Sequence, residues 1–292
     1  MEKKEKAMRK KSKRKSVGRS FFGYFRRCPQ IAVLRLSGII GEGGVGRRNG
    51  LTLADLESTI EAAFEVPRLR AVALSINSPG GSPVQSALIA EYVQALAKQK
   101  KVKVYAFCDD VAASGGYWLA CAADEIYANG ASVVGSIGVI TASFGFDKFI
   151  KRVGIDRRVY TAGKNKRRLD PFLPENKNDV KYLRVLQKDL HKQFKDYVRQ
   201  RRGKRLKGTS RVIFNGDFWS GLKAVELGLI DGVGEMRSIL KKKYGEDVRF
   251  SLIEEKKSFL AKRFGIRKNA TGWADELLLA LEERALWSRY GL

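Results

Sequence analysis

The chain has 292 residues, 44% of them hydrophobic, and carries 57 Lys and Arg against 31 Asp and Glu, a formal net charge of +26. That length and apolar content supply a real core, so a globular protein is expected, with one large domain or one domain with extensions. Three cysteines, Cys28, Cys108 and Cys121, show no paired spacing, which argues against a disulfide framework or a zinc site and for a reducing compartment.

The charge is unevenly spread. Residues 1–30 hold twelve Lys and Arg against two Glu and end in the aromatic cluster Phe21-Phe22-Gly23-Tyr24-Phe25. This arm has no apolar stretch near the roughly 18 residues that span a bilayer, and no signal-peptide core. A polybasic, aromatic segment can bind an anionic membrane surface. Nucleic acid is the weaker competing partner, and a solubilising tail is the plain alternative.

Residues 31–40 read as the first core strand, set off from the arm by Pro29. Gly41-Glu42-Gly43-Gly44-Val45-Gly46 matches G-x-G-x-x-G, but Arg47-Arg48-Asn49-Gly50 separates it from the next helix, which Thr52 caps. A dinucleotide site needs its glycines to open the helix directly, so this match is set aside. Residues 69–76 form a second buried strand that runs into Asn77-Ser78-Pro79-Gly80-Gly81-Ser82-Pro83, followed by a helix. Residues 103–107 form a third, leading to Val111-Ala112-Ala113-Ser114-Gly115-Gly116-Tyr117-Trp118 and an Ala-rich helix. Strand, glycine turn and helix thus repeat, which predicts parallel strands with crossover helices and turns clustered at the strands' carboxyl ends. The N–H groups of Gly81 and Gly115 can then converge, as in an oxyanion hole, beside the Ser114 hydroxyl. Taken alone, the second turn is equally well a glycine turn whose serine caps a helix.

Further on, residues 125–128 read as a short strand, and residues 133–140 carry Gly135, Ser136 and Gly138 among β-branched neighbours. Ala162-Gly163-Lys164-Asn165-Lys166-Arg167-Arg168 is a basic loop. A long helix begins near Asn178 and ends in Arg199-Gln200-Arg201-Arg202. The single histidine, His191, lies in a charged part of that helix and reads as a solvated face. Residues 225–232 close the domain with a helix end and a short strand, and residues 273–287 form an amphipathic helix for the core, another subunit or a lipid surface. The expected domains are the arm at 1–30, a central α/β domain at 31–245 and a C-terminal extension at 246–292.

Five stretches stand in one order: Asn77-Ser78-Pro79-Gly80-Gly81, Ala112-Ala113-Ser114-Gly115-Gly116-Tyr117, Gly135-Ser136-Ile137-Gly138-Val139, Thr161-Ala162-Gly163-Lys164-Asn165-Lys166 and Gly228-Leu229-Ile230-Asp231. In this the chain resembles the signal peptide peptidase A family, the S49 serine peptidases that include SohB. The resemblance implies a Clp protease/crotonase-type α/β fold of repeated β-β-α units and a Ser/Lys dyad with no cofactor or metal. Position by position, Ser114 resembles the nucleophile, Lys166 the general base, Ser136 the hydroxyl that bonds the lysine, and Gly81 and Gly115 the oxyanion hole. Lys166 is chosen over Lys164 by the family spacing after Ala-Gly.

The implied substrates are signal peptides and other short or unfolded membrane-associated peptides, and the implied assembly is a homo-oligomer whose dyad can form across subunits. Chemically, a serine needs a base, and a lysine serves once burial or nearby cations lower its pKa from about 10.4; Arg167 and Arg168 stand beside this one. Family members usually carry an N-terminal membrane segment where this chain has the basic arm, so an enzyme that is cytoplasmic or peripheral to the inner membrane is expected. The alternatives are a crotonase-type enzyme acting on acyl-thioesters and an inactive scaffold or adaptor.

Overall fold

A computed structural model of the chain describes residues 28–41, 50–254 and 284–291. In chain order its first half runs β1 (Gln30–Ser37), α1 (Leu53–Phe64), β2 (Leu69–Ser78), α2 (Pro83–Lys100), β3 (Lys103–Ala113) and α3 (Gly115–Ala120). Helices α1 and α2 begin where the sequence supplies a cap. The Thr52 hydroxyl accepts from the Asp55 N–H at 3.2 Å, and the Ser82 hydroxyl from that of Gln85 at 3.3 Å, with Pro83 in the first turn. The second half continues with β4 (Glu125–Ala128), β5 (Val133–Gly135), α4 (Asp147–Arg152), α5 (Lys177–Arg202), α6 (Ser210–Ile213), β6 (Phe218–Ser220), α7 (Gly221–Glu226), β7 (Gly232–Val233), α8 (Met236–Tyr244) and β8 (Arg249–Ile253).

The strands form a single sheet in the order β6-β5-β3-β2-β1-β8, with β4 also paired to β3 and β7 to β4. Every pairing is parallel except β5 with β6. The expected α/β class and parallel order are therefore present. The sheet takes its edge strand from β8 and so runs past residue 245. The glycine-rich residues 42–46, the arm up to residue 27 and most of the amphipathic segment 273–287 lie outside the described residues.

Both faces of the sheet are covered, which is why the central strands are apolar on both sides. Leu34, Leu36, Leu74, Ile76 and Val104 pack with α1, α2 and α3 on one face; Ile31, Ala73, Tyr105 and Phe107 meet Leu240 of α8 on the other. The second half of α5 closes the first face through Phe194 and Val198, both buried. In its first half, residues 177–190, no side chain is fully buried.

Candidate active site

The site is built where β3 divides. Its first part, Tyr105–Cys108, pairs with β4, and its last three residues, Val111–Ala113, pair with β5. On the β2 side the register jumps from Ile76 opposite Cys108 to Ser78 opposite Ala112, so Asp109 and Asp110 bulge from the ladder. Two side-chain bonds hold the bulge: the Ser75 hydroxyl donates to Asp109 at 2.7 Å, and the Asn77 amide to Asp110 at 3.0 Å. Asn77 also accepts from the Val111 N–H at 3.2 Å. The strand then runs on into Ser114, which caps α3 with φ +52° and ψ −120°. A serine rarely takes that conformation, and such strain concentrates at functional sites.

Ser114 is held against the preceding glycine turn. A Cβ on Gly80 would lie 2.8 Å from the Ser114 Cβ and 2.9 Å from the Gly115 nitrogen. A Cβ on Gly115 would meet the Ser86 hydroxyl at 2.4 Å, and one on Gly81 the Ile40 carbonyl oxygen at 2.0 Å. The two turns therefore meet, and glycine is required where their backbones touch. The Gly81 turn is anchored by its neighbours: the Ile40 N–H donates to Gly80 at 2.8 Å and the Ser82 N–H to Ile40 at 2.7 Å. Gly80, which abuts the serine directly, was not among the expected site residues; its signal in the sequence is the glycine doublet it shares with Gly81.

Ser136 enters the same region through the backbone. The Ser114 N–H donates to the Gly135 carbonyl at 2.8 Å, and the Ser136 N–H to that of Asp217 at 2.7 Å. Ser136 is buried and also has positive φ, +54°. Its hydroxyl receives a long hydrogen bond, 3.4 Å, from Tyr290, whose ring packs edge-on to Phe218. Neither Tyr290 nor Phe218 stands out by spacing, because only the fold brings residues 154 apart together.

The structure does not join Lys166 to these groups. It lies exposed in the loop after α4, and no hydrogen bond links it to Ser114 or Ser136 among the described residues. The two guanidiniums expected to crowd it turn elsewhere: Arg167 faces Asp170 at 3.6 Å, and Arg168 faces Asp179 at 3.5 Å while lying over the Tyr182 ring. Around the loop, Phe144, Phe149 and Tyr160 are 67%, 61% and 91% exposed.

His191, expected on a solvated face, is instead half-buried with Nε2 at 3.0 Å from the Ile137 carbonyl oxygen, one residue beyond Ser136. The charged neighbours in sequence occupy the other sides of α5, which is why the pattern misled.

Behind the serine, α3 is clamped at three points. Trp118 is stacked between Phe194 and Tyr197 of α5, with centroids 4.8 and 4.9 Å away. The Tyr117 hydroxyl donates to the Leu229 carbonyl at 2.7 Å. Past the end of α3, Arg201 donates to the carbonyls of Cys121, Ala122 and Ala123 at 2.7, 3.0 and 3.1 Å, satisfying groups a helix end leaves open. Arg202, 2% exposed, holds the Gly228–Asp231 stretch: two bonds to the Gly228 carbonyl and one to each Asp231 oxygen. Burial pushes the Asp231 carboxyl up, but the bonds from Arg202 and the Ile126 N–H, with the Arg202 and Arg205 charges, hold it below its ordinary value. Among the described residues no cluster of three or more His, Cys, Asp or Glu could hold a metal ion.

The chain is 47% identical over 273 residues to a Brucella abortus protein named Na(+)/H(+) antiporter NhaA, a match covering 90% of this chain and 37% of that one. The protease SohB of Haemophilus influenzae is 34% identical over 196 residues, 66% of this chain and 54% of its own. The chloroplastic serine protease SPPA of Arabidopsis thaliana is 32% identical over 212 residues, 70% of this chain and 30% of its own. The chain thus spans from about a third to about half of the length of these relatives. Among the described residues no helix is long and apolar enough to cross a membrane. The sequence profile of Peptidase family S49 matches residues 96–247, which hold Ser114, Ser136 and Lys166, and the chain belongs to that family.

Proposed function

We propose that the chain is a serine endopeptidase in which Ser114 is the nucleophile and Lys166 the base. The observation that carries this reading is the strained Ser114 at the head of a buried, clamped helix, with the Gly80-Gly81 backbone packed against it. Ser114 Oγ attacks the peptide carbonyl carbon while its proton passes to Lys166 Nζ. The oxyanion is met by the N–H groups of Gly81 and Gly115, neither of which is spent on a hydrogen bond between elements among the described residues. The C–N bond then breaks, the leaving amine takes the lysine's proton, and water, deprotonated by the lysine, hydrolyses the acyl-serine to a carboxylic acid and free Ser114.

Lys166 reaches Ser114 from a second copy of the chain. What supports this is its exposure on a loop flanked by Phe144, Phe149 and Tyr160, apolar area that a partner subunit would cover. The Ser136 hydroxyl orients the incoming amine. Signal peptides and other short or unfolded membrane-associated peptides are the substrates by family resemblance. A place at the membrane surface is supported by the basic arm and by the antiporter name of relatives in which the matching segment is 37% of the chain.

The test is hydrolysis of a signal-peptide-like fluorogenic peptide by the wild type, Ser114→Ala, Lys166→Ala and Lys164→Ala, with assembly checked on the same samples. Loss in the first two variants and retention in the third is expected. Peptide turnover by assembled Ser114→Ala would remove Ser114 as the nucleophile. No turnover by either the wild type or this variant, when properly assembled, would move the reading to acyl-thioester chemistry, for which the fold also offers paired N–H groups, or to an inactive scaffold. Mixing Ser114→Ala with Lys166→Ala should restore part of the activity if the dyad forms between subunits.

A further inference from the structure

The only histidine in the chain is aimed at the turn that carries Ser136. That turn is a local concentration of unusual backbone: Gly135 has φ +117°, Ser136 φ +54°, and the Gly138 N–H folds back on the Ser136 carbonyl at 2.9 Å. Such a turn persists only when its surroundings over-determine it. Three contacts do so. The Gly135 carbonyl accepts from Ser114, the Ser136 N–H donates to Asp217, and the Ile137 carbonyl lies 3.0 Å from His191 Nε2. The first two come from residues next to the neighbouring strands, just after β3 and just before β6; the third comes from α5. One turn earlier on the helix, the Gln187 amide donates to the Thr141 hydroxyl at 3.2 Å, so α5 follows the chain as it leaves the site.

We propose that His191 is a positioning residue: by donating from Nε2 to the Ile137 carbonyl it fixes the turn that presents the Ser136 hydroxyl. The inference rests on the reading of Ser136 as the group that orients the lysine. A carbonyl can only accept, so the contact requires the proton on Nε2. Burial and the Lys195 charge hold the imidazole below its ordinary pKa, against the opposing pull of the Ile137 and Phe214 carbonyls. At neutral pH the ring is then uncharged and has one N–H to give. The 137–141 segment carries no charge, and Asp217, on the turn that follows Phe214, is engaged by Asn215.

The test compares His191→Gln, which keeps an N–H donor, with His191→Leu, which keeps bulk and apolar character. A packing role predicts that Leu does at least as well as Gln. The positioning role predicts the reverse: in Leu kcat falls about tenfold, the scale of a buried carbonyl losing its donor, while KM stays within about twofold, and Gln recovers most of the loss. Melting curves on both variants show whether either has lost the fold. Nitrogen-15 NMR of the wild type gives a readout that needs no activity, since one histidine yields one unambiguous imidazole; an Nε2-protonated tautomer at pH 7.5 is expected. An Nδ1-protonated ring, or Leu matching Gln in kcat, would overturn the proposal with the peptidase reading intact. A wild type that hydrolyses nothing would remove that reading, and this inference with it.

Discussion

Arg202→Met tests how the serine's helix is held from behind. Methionine keeps the length and the apolar stem of Arg202 but none of its donors. The Gly228 carbonyl then loses both bonds it receives from the guanidinium, at 3.0 and 3.1 Å, and Asp231 loses bonds at 2.7 and 3.1 Å. Removing one partner of a buried ion pair costs about 3–5 kcal/mol because the other charge is left behind. Asp231 keeps the Ile126 N–H at 2.8 Å and Arg205 at 3.3 Å, and its side chain is 18% exposed. The lower end, about 3 kcal/mol, therefore applies. For a protein of this size that lowers the melting temperature by about 6–12 °C. Calorimetry at pH 7 on Arg202→Met, Asp231→Asn and the double variant measures it. The double variant should lose about 1–3 kcal/mol less than the sum of the singles, since it leaves no unpaired charge. A shift under about 2 °C for Arg202→Met, or additive singles, would refute the argument. The pH dependence has a definite sign. The Asp231 pKa is depressed by folding, so its contribution is complete above the unfolded value of about 3.9 and is lost as pH falls through the folded value. Arg202→Met should shrink that acid-side loss.

Gly81→Ala should abolish turnover and destabilise the fold, because its Cβ would lie 2.0 Å from the Ile40 oxygen at φ +142°; backbone strain and overpacking each contribute about 1–3 kcal/mol. Gly154→Ala is the control, with φ +69° and nothing within 4 Å; it should cost about 1–2 kcal/mol and leave turnover unchanged, and equal losses in the two would contradict the steric account. Tyr290→Phe should change kcat/KM by less than about twofold, since a 3.4 Å hydrogen bond is near the limit of being one; a tenfold change in either direction would show that the contact governs Ser136. Cys108 and Cys121 should resist Ellman's reagent at pH 8 in the folded protein and react on denaturation. Burial pushes both thiols up, Cys121 to about 11, leaving almost no thiolate. Rapid labelling of the folded protein would show that the core around α3 opens.

Order along the chain was legible because it rests on local rules. The strand–turn–helix repeat, the caps at Thr52 and Ser82, and the glycine doublets beside Ser114 are encoded by neighbours in sequence, and each is present in the structure. The apolar run predicts a third strand over residues 103–107; the fold keeps β3 going to Ala113 by bulging Asp109 and Asp110 onto Ser75 and Asn77, partners from another strand. His191 departs from its expected solvated face for the same kind of reason. Charge around it along α5 is a property of one helix, whereas its contact with Ile137 joins residues 54 apart. The sequence by itself determined the class of sheet and the turns, since period, glycine and capping act over a few residues, while Ser114 as the nucleophile rests on the family resemblance. Only the tertiary structure decided that the two glycine turns touch, that α5 clamps the serine's helix through Trp118 and Arg201, and that Lys166 faces outward. Those depend on which surfaces meet once the chain has closed, and no local pattern carries that information.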